Sequence, residues 1–153
     1  MKLLLDTTYL LPAIGIQIKS LPKDAPISLK QKGHQISISS VSIFELSAEG
    51  AKHIAEGALP PERVARGIRA IVHDEGIEKL LMHEDALLLT AFKLRSLLSD
   101  FIDCLILSSA MNRCDSLVTE DNAIQALGEN REFNEMFRKI NPKFKIQRLT
   151  ATL

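Results

Sequence analysis

Tryptophan is absent from this 153-residue chain and tyrosine occurs once, as Tyr9. That scarcity argues against an aromatic platform on which single-stranded bases stack. Cysteine is almost as rare. Cys104 and Cys114 are too few for a disulfide framework, and both lie in or beside an apolar helical stretch, which reads as buried free thiols in a reducing compartment. His34, His53, His73 and His83 show no zinc-ligand spacing with the cysteines or with one another. No apolar run approaches the ~20 residues of a membrane span. The opening Met1–Leu5 stops at Asp6 after three leucines, short of the ~7–15 residues of a signal-peptide core. The expectation is a cytoplasmic protein without a membrane partner. An excess of charge is missing too: Lys+Arg and Asp+Glu number 19 each, so a nucleic-acid partner would have to be met by a local basic surface. The phosphate loop, the dinucleotide fingerprint G-x-G-x-x-G and the nucleophile elbow G-x-S-x-G are all lacking.

What remains is an ordinary globular composition, 46% apolar and 25% charged, of a length that suits one domain over residues 1–153. Lys2–Leu5 reads as a buried parallel strand. A helix begins near Thr8 and runs toward Ile18, with Pro12 and Gly15 inside it. Ser20–Gly33, lysine-rich and with two prolines, reads as a connection containing about one helical turn. In "QISISSVSIFELSAEGAKHIAEG" the period changes from a strand, where Ile36 and Ile38 alternate with serines, to a helix. Val41, Phe44, Ala48 and Ala51 follow at helical spacing, up to a stop at Gly57. "LPPERVARGIRAIVHDEG" is a helix opened by prolines. "IEKLLMH" is a third strand, "EDALLLTAFKLRSLL" an amphipathic helix, "DFIDCLILSSAMNR" a strongly apolar one and "DSLVTED" a fourth strand. Short helices at "NAIQAL" and "REFNEMFRKI" precede a last strand in "KFKIQRL". This alternation predicts an α/β fold with a mainly parallel sheet covered on both faces.

The acids fall at particular places in that pattern. Asp6 ends the first strand, Glu45 lies near the start of the helix after the second, Asp103 sits in the first turn of the apolar helix, and Asp121 follows the fourth strand. Groups at the carboxyl ends of parallel strands share one edge of the sheet, where ligands bind at the point of reversed strand order. Carboxylates gathered there repel one another unless a cation neutralises them, and an all-oxygen site suits Mg²⁺ or Mn²⁺. Each acid also has a local explanation. Ser42 and Glu45 fit a capping box, Asp100 and Asp121 fit helix N-caps, and first-turn acids are favoured by the helix dipole. Asp103 is the hardest to explain locally, because its helix is apolar enough to be buried on most sides.

"LLLDTTYLL", "SSVSIFELSA" and "DFIDCLILSSAMNRCDSLVTED", in this order, resemble the PIN domain, a family of metal-dependent ribonucleases. The resemblance implies a three-layer α/β/α sandwich with strand order 3-2-1-4-5. It carries Asp6, Glu45, Asp103 and Asp121 over as the acidic cluster, with Asp6, Asp103 and Asp121 as metal ligands and Glu45 orienting or deprotonating the attacking water. Thr8 and Thr119 match polar positions that orient acids or waters, and Asp100 is either a cap or a fifth acid. The function implied is Mg²⁺- or Mn²⁺-dependent hydrolysis of RNA. Small prokaryotic members include VapC-type toxins, so an antitoxin protein and a homodimer are implied as well. Cations for RNA are at hand in Lys19, Lys23, Lys30 and Lys32, in Arg138, Lys139, Lys143, Lys145 and Arg148, and in Arg63, Arg66 and Arg69, the last three read first as a solvated helix face. The same fold also serves an inert RNA-binding or protein-interaction module, and that alternative stays open here.

Overall fold

Three leucines of the opening strand set the architecture. In β1 (Lys2–Leu5), Leu4 points to one face of the sheet and Leu3 and Leu5 to the other, and all three have no solvent exposure. A strand buried on both faces must lie inside a sheet with helices above and below. The computed structural model describes residues 1–153 and shows that arrangement. β1 is the middle strand of a five-stranded sheet of order 3-2-1-4-5, every pair parallel. Its neighbours are β2 (Gln35–Ser39) and β4 (Ser116–Val118), with β3 (Ile77–Leu80) and β5 (Lys145–Gln147) at the edges.

One layer joins Leu4 and Leu117 of the sheet to α4 (Asp85–Leu94), α5 (Phe101–Arg113) and α7 (Arg131–Ile140). Leu94, Ile106, Leu107, Met111 and Phe133 fill it. The opposite layer joins Leu3, Leu5, Ile38 and Val118 to a 3-10 helix (Thr7–Ile14), α1 (Ala25–Gln31), α2 (Ser40–Ala55) and α3 (Pro61–His73). Cys104 and Cys114 are both buried and unbridged. No helix is long and apolar enough to cross a membrane.

Several local readings need correction. The helix after Asp6 is 3-10 in form and ends at Ile14, because Gly15 takes the left-handed conformation at φ +95° and its N–H closes on Pro12 O. The Ser20–Gly33 connection contains a seven-residue helix rather than one turn; Ala25 and Leu29 are fully buried and hold it on the sheet. The capping box does not form. β2 runs straight into α2, so Ser39 is the N-cap and Glu45 falls in the second turn. The helix consequently turns Val41, Ser42, Leu46 and Gly50 inward, while Phe44 is 65% exposed and Ala48 and Ala51 face solvent.

Candidate functional site

Strand order reverses beside β1: the chain runs outward through β2 and β3, then crosses back to place β4 on the other flank. The carboxyl ends of β1 and β4 therefore open a crevice between diverging connections. Asp6 is the residue after β1, and its N–H extends the ladder to Val118 O at 3.0 Å. The residue is 8% exposed. Oδ1 accepts from Thr7 N–H at 2.7 Å and Oδ2 from Thr119 Oγ1 at 2.5 Å. Thr119, fully buried after β4, also accepts from Asp121 N–H at 3.1 Å, so one hydroxyl joins the two strand-end acids.

Glu45 reaches the crevice from the second turn of α2. Its Oε1 accepts from Thr7 Oγ1 at 2.5 Å, and Thr7 Oγ1 is 3.0 Å from Ser42 Oγ. Thr7 has one hydroxyl proton, which goes to the carboxylate, so the Ser42 hydroxyl is the donor of the second pair. Asp100 caps α5 through Ile102 N–H at 2.8 Å, and Asp103 follows in the first turn, half-buried and with no hydrogen bond to its carboxylate. Asp121 caps α6 (Asn122–Ala126) through Ile124 N–H at 2.8 Å. Asp6, Glu45, Asp103 and Asp121 line one cavity of ≈ 390 Å³. Asp100 and Thr119 are not in its lining.

Thr119 bonds Asp6 and Thr8 lines this cavity, while the threonine that hydrogen-bonds Glu45 is Thr7, the neighbour of Thr8. Two further acids were missed from the sequence. Glu49 lies four residues after Glu45 on the same helical face, a spacing that was legible. Glu120 stands beside Asp121, and nothing in its local sequence distinguishes it. Among the expected cations, Lys30 pairs with Asp74 and Arg148 with Glu120, while Arg63 is half-buried and donates to Ala13 O and Pro12 O. Arg66 and Arg69 are exposed.

The charge balance of the cavity is one-sided. Burial raises the Asp6 carboxyl above the usual carboxylate range, against the hydrogen bonds from Thr119 and Thr7, and the Asp121 charge adds to the rise. Glu45 is raised by burial first, then by Asp6, Asp100 and Glu49, against its bond from Thr7. Asp103 is pushed up to about 7, by burial and then by the charges of Asp100, Asp6, Asp121 and Glu45. Glu120 goes the other way. Burial would raise it, but hydrogen bonds from Tyr9, Leu149 N–H and Arg148 outweigh that and hold it low. None of the five ion pairs in the protein involves Asp6, Glu45, Asp103 or Asp121.

These donors suit a hard divalent cation. All are oxygens, and Asp103 and one oxygen each of Glu45 and Asp121 accept no hydrogen bond within the protein. The carboxylates surround the cavity rather than meet at a point: no three of them converge closely enough to hold an ion by direct ligation alone. That geometry fits Mg²⁺ or Mn²⁺, which are held by one or two carboxylates and otherwise by water, better than a fully enclosed cage. A more apolar cavity of ≈ 470 Å³ lies between the 3-10 helix, α1, α3 and β3. It contains none of the four acids, so chemistry, not apolar lining, identifies the site.

No protein-family model matches the chain, and no curated protein matches it in sequence. Among solved structures it is similar to a chain in the crystal structure of VapBC2 from Rickettsia felis bound to a DNA fragment from their promoter, with 19% identity and a TM-score of 0.58. The likeness covers 97% of this chain and 98% of that one. With an all-parallel sheet of order 3-2-1-4-5 and that likeness along nearly its whole length, this chain has the PIN-type α/β fold.

Proposed function

We propose that the protein is a Mg²⁺- or Mn²⁺-dependent endoribonuclease that works as the toxin of a toxin–antitoxin pair. The observation that carries the reading is the group of carboxylates at the switch point of the sheet, Asp6 buried, Glu45 and Asp103 half-buried and Asp121 exposed at the rim, which repel one another and are paired with no protein cation. Asp6, Asp103 and Asp121 are the ligands in this reading, directly or through water. A divalent ion bound there supplies positive charge for the reacting phosphate and makes an attacking water easier to deprotonate. Glu45 takes that proton. Thr7 fixes Glu45 Oε1 and leaves Oε2 available, and its raised pKa suits a base. Thr119 keeps Asp6 turned toward Asp121.

The likeness to a VapBC2 chain supports an antitoxin partner. A homodimer is supported by the exposed apolar side chains Leu89 and Phe92, 60% and 58% exposed three residues apart on α4, with Phe92 stacked on Phe101 at 5.9 Å. Patches of this kind on a folded surface mark contacts.

The second reading, an inert RNA-binding or interaction module, draws on the spread of the carboxylates around the cavity. An RNA-cleavage assay separates the two. A structured RNA pool, sequenced at its new ends, is incubated with the protein and Mn²⁺, with chelator, and with Asp103→Asn. Cleavage lost in both controls supports the nuclease; cleavage that survives both contradicts a metal-dependent reaction at these acids, and none with the wild type supports the module.

A further inference from the structure

The turn that carries Asp121 is gripped by a residue from the far end of the chain. Arg148 Nη1 donates to Glu120 Oε2 at 2.9 Å and to the Glu120 carbonyl at 3.2 Å, and Nη2 donates to Asn122 Oδ1 at 2.8 Å. One guanidinium thus spans the residues on both sides of Asp121. Glu120 is held from other directions as well: Tyr9 Oη donates to its Oε1 at 2.7 Å and Leu149 N–H to the same oxygen at 3.1 Å. Arg148 is itself anchored, because it follows β5 directly and precedes Leu149, which is 2% exposed and packs in the layer that contains Leu3, Leu5, Tyr9 and Val118.

Glu120 lines the acidic cavity. Left without a cation it would add another charge to a group of acids that already repel one another, and its Oε2, which only Arg148 holds, would stand free beside Asp121 as a rival ligand. We propose that Arg148 is a positioning residue of the acidic site: it fixes the Asp121 turn through Glu120 and Asn122 and withdraws the Glu120 carboxylate from ion binding. The consequence for the ion rests on the metal-dependent reading, while the grip on the turn does not. The task requires a planar fork with several N–H groups, which Lys lacks. As a pair with side chains 42% and 28% exposed, Arg148–Glu120 contributes little to global stability, so its loss should register locally.

The test compares wild type, Arg148→Ala and Arg148→Lys by two measurements. In metal-free protein, amide hydrogen exchange is followed over residues 121–124, with the buried amides of α5 as the internal reference. Mn²⁺ affinity is then measured by calorimetry. Arg148→Ala should speed exchange over 121–124 without changing α5, and weaken Mn²⁺ binding by roughly ten- to a hundredfold, as is usual when a ligand loses its supporting hydrogen bonds. Arg148→Lys should restore neither. Unchanged local exchange in Arg148→Ala, unchanged affinity where the wild type binds, or full rescue by Lys would each overturn the proposal. If the wild type binds no Mn²⁺, the metal-dependent reading fails, and the exchange comparison alone decides whether Arg148 holds the turn.

Discussion

Thr119 Oγ1 donates to Asp6 Oδ2 at 2.5 Å across 113 residues of sequence. The bond joins the ends of the two strands between which the sheet reverses, and it is one of two that a nearly buried carboxylate receives. Thr119→Val keeps the shape and removes the hydroxyl. It leaves Asp6 Oδ2 without its donor and Asp121 N–H without its acceptor. The expected cost is about 1–3 kcal/mol in urea unfolding, the range for a buried polar group left unpaired. Thr119→Ser should recover most of it.

The acids should make the metal-free protein weaker as pH rises. Burial and the neighbouring carboxylates push Asp103 up to about 7 in the fold, against 3.8 ordinarily. Between those values the folded state binds more protons than the unfolded chain, so this group's contribution to stability falls with rising pH and is lost above about 7. Asp103→Asn removes that dependence. Urea unfolding measured from pH 4 to 8 in chelator should therefore show the variant gaining on the wild type, by about 1–2 kcal/mol at the top once solvent on the exposed side of Asp103 is allowed for. Saturating Mg²⁺ should abolish most of the difference.

Packing behind the site is testable through Gly67. A Cβ there would lie 2.2 Å from Ala13 O, so α3 rests directly on the 3-10 helix that carries Thr7. Gly67→Ala must push the two apart. Denaturant unfolding should show a loss of at least about 1–3 kcal/mol, the usual cost of overpacking.

The apolar face of α4 gives a separate test. Phe92→Glu alters a side chain that is 58% exposed, so the fold should tolerate it, with a stability change within about 0.5 kcal/mol. Sedimentation velocity should show a dimer in the wild type and a monomer in the variant; equal mass in both would place the dimer contact elsewhere or exclude it.

A mainly parallel sheet covered on both faces was legible because Leu3–Leu5 and Leu117–Val118 read as buried runs alternating with helices, while the strand order followed only from the family resemblance. The acids were legible by their place at strand ends. What failed was local phase. Ser39 capped α2 earlier than the Ser42–Glu45 pattern implied, which turned Leu46 inward and Phe44 outward. Thr7, not Thr8, met Glu45, because a 3-10 start rotates the first side chains differently from an α-helix. Glu120 escaped notice, and Arg148 read only as a cation for RNA, because their pairing exists only once β5 lies beside β4.

The central claim, that the acidic cavity holds a divalent ion, is tested most directly by calorimetric titration of Mn²⁺ into the wild type and Asp103→Asn. Saturable binding in the wild type, lost or weakened at least about tenfold in the variant, is the expected result. No saturable binding by the wild type, or equal binding by both proteins, would contradict it and leave the four acids as helix caps and strand-end polar groups.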